Sequence, residues 1–242
     1  MAIWNPWHGC RKISAGCENC YVYRTDARYG SDAGKIRKNK DFSLPMRRGA
    51  GGHFKLMPGE LTFCCMTSDF FLEDADAWRA DLWAMIRQRD DVPFFIITKR
   101  IHRFYTSLPD DWGEGYENVT IGCTVENQER ADYRLPLFLN APIRHKVIIC
   151  EPLLGAIDLS SYLTPEIEEV VAGGESGNTA RECRFEWILS LREQCESAGV
   201  GFYFKQTGAN FVKEHRRYQI PRKLQHAQAR LANINIERKQ IT

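Results

Sequence analysis

A short apolar run that ends in polar residues recurs six times after residue 55, and this repeat limits the folds open to the chain. The runs are Leu61-Thr62-Phe63-Cys64-Cys65-Met66, Pro93-Phe94-Phe95-Ile96-Ile97, Val119-Thr120-Ile121-Gly122-Cys123, Lys146-Val147-Ile148-Ile149-Cys150, Glu169-Val170-Val171-Ala172 and Gly201-Phe202-Tyr203-Phe204. They open 23 to 32 residues apart, which is room for a strand and a crossover helix. Apolar runs without alternation are buried on both faces, and strands of that kind build parallel sheets. Residues 76–88 place Trp78, Leu82, Trp83 and Ile86 at helical spacing. Residues 185–197 do the same with Trp187, Ile188 and Leu191, and Gly199 follows as a stop signal. A short opening strand over residues 2–5 brings the count to about six to seven parallel strands. The expected class is α/β, a full or partial TIM-like (β/α) barrel. In such folds chemistry sits at the C-terminal ends of the strands. Every run here ends in polar residues: Thr67-Ser68-Asp69, Thr98-Lys99-Arg100, Thr124-Val125-Glu126-Asn127, Glu151-Pro152, Gly173-Gly174-Glu175-Ser176 and Lys205-Gln206-Thr207.

The loop after the first strand carries Cys10, Cys17 and Cys20 within Gly9-Cys10-Arg11-Lys12-Ile13-Ser14-Ala15-Gly16-Cys17-Glu18-Asn19-Cys20-Tyr21. Three thiolates can hold an iron–sulfur cluster and leave one iron open, whereas an electron-transfer cluster normally takes four. The rival is zinc, which wants four ligands; Cys17, Cys20, Cys10 and His8 would supply them. Cys64, Cys65, Cys123 and Cys150 lie in apolar runs and read as small buried hydrophobes. Nine cysteines in 242 residues is an odd number, and the N-terminus carries no signal sequence, so a disulfide framework is not expected. The loop falls on the rim where the polar strand ends collect. A catalytic cluster has reason to sit there and a structural zinc knuckle has none.

No apolar stretch approaches a membrane span, so no membrane is expected, and a cytoplasmic location suits reduced thiols. The net charge is +2, but residues 1–55 hold 11 Lys/Arg against 4 Asp/Glu, and residues 213–242 hold 8 against 2. Basic ends on an acidic body point to an anionic partner, DNA or a nucleotide. The candidates are Lys35-Ile36-Arg37-Lys38-Asn39-Lys40 with Arg47-Arg48, then Arg216-Arg217 and Arg222-Lys223. The expected organisation is a barrel domain over residues 1–212 and a basic tail over residues 213–242.

Several short runs then carry a resemblance: Trp4-Asn5-Pro6, Gly9-Cys10, Gly16-Cys17-Glu18-Asn19-Cys20-Tyr21, Ile97-Thr98-Lys99-Arg100, Thr124-Val125-Glu126-Asn127, Cys150-Glu151-Pro152-Leu153-Leu154-Gly155, Gly173-Gly174-Glu175-Ser176-Gly177 and Phe204-Lys205-Gln206. With these the chain resembles the radical S-adenosylmethionine (SAM) superfamily, and more closely a phage-associated three-Cys-motif family within or beside it. The resemblance departs in two places. The first cysteine gap is six residues where the superfamily usually has three, and Gly173-Gly174-Glu175 ends a late strand where the superfamily has it on the second.

The resemblance implies a [4Fe–4S] cluster on Cys10, Cys17 and Cys20, with SAM on the open iron. One electron then cleaves SAM, and a 5′-deoxyadenosyl radical takes a substrate hydrogen. It implies an electron donor such as flavodoxin or ferredoxin. For a phage enzyme in a bacterial cytoplasm, it implies an isomerase-type rearrangement of a hypermodified thymidine in DNA. Lys99 or Arg100 would face the SAM carboxylate. Glu126, Asn127, Glu151, Glu175 and Ser176 would meet its amine and hydroxyls, with Asp69 and Glu175 both open as the amine's partner. Gly173 and Gly174 would let backbone approach a ligand. Lys205 and Gln206 would act on substrate as the catalytic pair. The other class of function is a zinc-bearing, non-enzymatic nucleic-acid-binding protein.

Overall fold

The computed structural model describes residues 1–237; residues 238–242, the end of the expected basic tail, lie outside them. Along the chain the strands and helices are β1 (Ala2–Trp4), β2 (Trp7–His8), α1 (Tyr21–Arg28), β3 (Arg37–Lys38), β4 (Thr62–Cys64), α2 (Asp76–Gln88), β5 (Phe94–Thr98), β6 (Val119–Thr124) and α3 (Gln128–Leu139). There follow β7 (His145–Cys150), β8 (Ile167–Gly173), β9 (Cys183–Arg184), α4 (Phe185–Ala198), β10 (Gly201–Gln206), β11 (Asn210–Lys213), β12 (Arg216–Gln219) and α5 (Arg222–Leu231).

All six apolar runs and the opening segment become strands of one sheet, ordered β1-β4-β5-β6-β7-β8-β10. The pairs β1/β4, β4/β5, β7/β8 and β8/β10 are parallel. The order is open. Among the described residues β1 and β10 are not neighbours, so the full barrel is not formed and the partial TIM-like arrangement is the one that stands. Burial follows the continuous apolar pattern in β7 and β8, each with five or more buried positions, whereas β5 alternates.

The chain divides into two compact units. The first comprises residues 1–12, 22–122 and 140–145. Here α2 buries Leu82, Trp83 and Ile86, and the Trp83 ring meets Trp112 at 5.0 Å and Phe70 at 4.8 Å. Arg79 lies on the same buried face because its guanidinium satisfies the Phe70 and Leu72 carbonyls at 2.9 and 2.6 Å. A two-strand ladder pairs Trp7 with Lys38 and His8 with Arg37.

The second unit comprises residues 13–21, 123–139 and 146–242. The Gly199 stop signal acts as expected: α4 ends there with Gly199 at φ 69° and its N–H on the last carbonyls. The free edge of β10 is taken up by residues 235–236, with Phe202 and Ile236 exchanging backbone hydrogen bonds of 2.9 and 2.8 Å. A small sheet ordered β12-β11-β9 follows, and α5 succeeds it, so residues 216–231 of the expected basic tail carry a strand and a helix. Among the described residues no helix is long and apolar enough to cross a membrane.

Candidate functional site

In the first unit the loop after β1 turns at Gly9, whose φ is +95°. A Cβ there would come within 2.9 Å of the Ala33 and Lys35 carbonyls, so only glycine lets the chain pass. Cys10 follows, its N–H on the Ala33 carbonyl at 2.8 Å and its carbonyl accepting the Tyr23 hydroxyl. Arg100, 1% exposed, reaches Cys10 Sγ with Nη1 at 3.8 Å and the Arg11 carbonyl with Nη2 at 2.7 Å. Burial alone would lower the Arg100 guanidinium, but Asp69, Cys10 and Glu73 together raise it, so it stays a cation.

Asp69 at the end of β4 has its carboxylate filled by the protein. Thr98 Oγ1 and the Phe71 and Lys99 N–H groups donate to it at 2.8 to 3.0 Å, and Arg100 lies 3.5 Å away. Lys99 differs from Arg100: it is half-buried, and among the described residues its ammonium meets no ion-pair partner. Of the two cations considered for a ligand carboxylate, Lys99 is therefore the one with its charge available. His8 Nε2 donates to the Asp26 carboxylate at 2.7 Å.

In the second unit the acidic strand ends hold the loop that bears Cys17 and Cys20. Glu126, fully buried at the end of β6, accepts the Gly16 N–H at 3.1 Å and pairs with Arg134 at 2.8 Å. Asn127 caps α3 by accepting the Arg130 N–H at 3.0 Å. Glu175 accepts Asn19 Nδ2 at 3.0 Å and the Arg181 N–H and guanidinium at 2.6 to 3.1 Å. Arg181 also reaches the Ala15 carbonyl at 2.9 Å and Glu18 at 3.0 Å. Sequence reasoning missed Arg181. Its one visible signal is a cation in the polar stretch that follows Gly173-Gly174-Glu175. Ser176 lies beside Glu175 and is half-buried.

The Glu175 carboxyl sits below its ordinary 4.5: burial pushes it up, and the Arg181 and Asn19 hydrogen bonds outweigh that. A depressed folded value stabilises the protein above pH 4.5, and the gain is lost as pH falls through the folded value. Glu175→Gln should therefore cost about 1.5–3 kcal/mol near neutrality, the worth of charge-assisted hydrogen bonds. Melting curves of variant and wild type should converge below pH 4.5. A gap that persists unchanged into acid would remove the ionised carboxylate from this role.

Glu151, at the end of β7, is different. Its Oε2 pairs with Lys205 Nζ at 2.6 Å, but Oε1 is buried and has no hydrogen-bond partner among the described residues. A Cβ at Gly173 would collide with that oxygen, so the glycine makes room for it. At Gly174 the missing Cβ leaves space for the Thr207 carbonyl and Cys183, and Gln206 Nε2 donates to the Gly174 carbonyl at 2.8 Å. The Gly173-Gly174 pair thus accommodates the protein's own strands. Near Glu151, burial and the Cys20 and Glu151 charges push the Tyr21 hydroxyl up to about 12 against the pull of Arg222, which opens α5.

Among the described residues no cysteine is in a disulfide. Cys10, Cys17 and Cys20 are partly exposed and the other six are buried. Burial pushes Cys183 and Cys195 up to about 12 and Cys64, Cys65 and Cys150 upward as well. Buried neutral thiols are inert, which leaves three available donors. Among the described residues no three His, Cys, Asp or Glu side chains are gathered as a metal-holding group. The partly exposed thiols of Cys10, Cys17 and Cys20 are soft donors of the kind that suits iron–sulfur or zinc. No curated protein and no solved structure matches the chain. A family model described as a protein of unknown function (DUF5131) matches residues 1–235, and the chain belongs to that family.

Proposed function

We propose that the protein is a radical SAM enzyme that holds a [4Fe–4S] cluster on Cys10, Cys17 and Cys20 and acts on a nucleic-acid base or nucleotide. When bound, the cluster supplies the electron that cleaves SAM and so starts hydrogen abstraction from a substrate. The observation that carries the reading is the loop itself. Three charged side chains, Glu126, Glu175 and Arg181, brace it at Ala15, Gly16, Glu18 and Asn19, and it presents its thiols while every other thiol is buried.

The acidic residues divide by their free oxygens. Asp69, Glu126 and Glu175 have theirs filled by protein donors, so they hold strand ends and loop in place. Glu151 retains an unmet acceptor and is the carboxylate that takes the SAM amine. Lys99 supplies the cation for the SAM carboxylate, and Lys205 positions Glu151 through their 2.6 Å pair. Gln206, tied to Gly174, and Asn127, tied to α3, are positioning residues. The basic segments would meet the phosphates of a nucleic-acid substrate, with DNA of a phage as the favoured source and an electron donor such as flavodoxin or ferredoxin as the second partner.

Anaerobic reconstitution with iron and sulfide tests the reading. The protein should turn brown, and with reductant and SAM it should release 5′-deoxyadenosine. Equilibrium dialysis with SAM should show Glu151→Gln weakened roughly 10- to 150-fold, the loss of one charge-assisted hydrogen bond. Stoichiometric zinc without iron overturns the cluster. Unchanged SAM affinity in Glu151→Gln overturns the assignment of that carboxylate.

A further inference from the structure

The second unit holds an aromatic cavity of about 530 Å³ walled by α4, β10, β11, β12 and α5, with Thr207 from the end of β10 in its lining. That volume is within the range of ligand sites. Its floor is Phe204 and Phe211, 1% and 7% exposed, whose rings lie nearly parallel with centroids 6.2 Å apart. Phe185 closes one wall, and Lys213 Nζ stands 5.3 Å over its ring. Tyr218 forms the rim and is 44% exposed.

The β11–β12 hairpin explains how cations come to that rim. Its ladder sets Lys213 opposite Arg216 and Phe211 opposite Tyr218. Opposed residues share a face of a sheet, so Arg216 stands on the face that lines the cavity. The turn between them is two residues, Glu214 and His215, at φ 50° and 62°. That is the primed geometry usually given to Asn-Gly, and it fixes the register. Every β12 residue is exposed, and among the described residues the Arg216 guanidinium has no ion-pair partner. Gln228, also on the wall, has an amide without a partner among the described residues. The cavity therefore combines flat apolar walls, one free amide, and a cationic rim.

We propose that this cavity takes an unpaired base of a single-stranded nucleic acid, stacked on Tyr218 and Phe185, with Lys213 and Arg216 on the flanking phosphates. An aromatic face suits any base, and cations follow the backbone. The Gln228 amide can donate and accept toward a base edge. The inference goes beyond the cluster reading and needs no iron.

Fluorescence anisotropy with labelled oligothymidylate and oligouridylate tests it, using the protein with and without iron. Tyr218→Ala should weaken binding roughly 5- to 150-fold, the usual effect of removing one stacking ring. Arg216→Ala should lessen the salt dependence by about 0.7 for the one phosphate lost. Both positions are exposed, and unchanged melting curves would confirm that folding is intact. An abasic strand that binds as tightly as the thymidylate overturns the proposal, and so does wild-type affinity in both variants. A chain that carries no cluster yet binds the strand with these effects would refute the radical reading and keep this one.

Discussion

Arg134→Met is expected to lower the unfolding free energy by about 3–5 kcal/mol, because it leaves the Glu126 carboxylate buried without its counter-charge. Both side chains are at most 1% exposed and lie 2.8 Å apart. The Arg134 guanidinium also holds the Thr124 carbonyl at 2.7 Å, so a second buried acceptor is orphaned with it. In a chain of this size the melting temperature should fall by roughly 6–20 °C. The double change Arg134→Met with Glu126→Leu should regain most of that loss, since an apolar pair of similar volume often serves a buried site as well as an ion pair. It should not restore the loop, because the Gly16 N–H has lost its acceptor. Melting curves report the first effect, and the alkylation rate of Cys17 reports the second. A single variant that melts like wild type, or a double variant whose Cys17 stays as protected as wild type, would show that Glu126 does not brace the loop.

The bracing changes what the acidic strand ends mean. In the sequence, Asp69, Glu126, Glu151 and Glu175 look alike, each a carboxylate after an apolar run. Their difference is the supply of donors around each one, and the donors that tie them to the loop come from distant segments. Gly16 lies 110 positions from Glu126, and Asn19 lies 156 from Glu175. Spacing along the chain carries no record of such pairings. Arg181 was illegible for the same reason, since its role exists only because β8 delivers Glu175 beside the loop.

The large sheet was legible because its strands are continuous apolar runs, and a run buried on both faces leaves its mark residue by residue. Helix α2 was legible to its ends, over Asp76–Gln88, because Trp78, Leu82, Trp83 and Ile86 repeat at helical spacing. Closure was not. Periodicity says that strands are buried and parallel, but whether the first meets the last depends on how β10 is covered, and here residues 235–236 take its edge. The β9-β11-β12 sheet was missed because strands of two to four residues are too short for a period to show. With it went the aromatic cavity, which that sheet completes.

Cys10→Ala, Cys17→Ala and Cys20→Ala should each abolish iron binding after anaerobic reconstitution, whereas Cys64→Ala and Cys195→Ala should keep it. Three thiolates are the smallest set that holds a cluster with one open iron, and no substitute is available. A ligand thiol must lose its proton. Burial and the neighbouring Glu169 hold Cys195 up at about 12, and burial drives Cys64 higher still. Neither can replace a missing ligand near neutral pH, and neither is exposed enough for iron to reach it. Because metal binding and loop order are coupled, the three loop variants should also lose the rise in melting temperature that iron confers on the wild type. Metal analysis and melting curves on the five variants separate the outcomes. Full iron in Cys10→Ala would remove that residue from the site, and with it the three-thiolate centre. Equal loss of iron in all five would show that the metal is held by folding as a whole rather than by the loop that the strand ends brace.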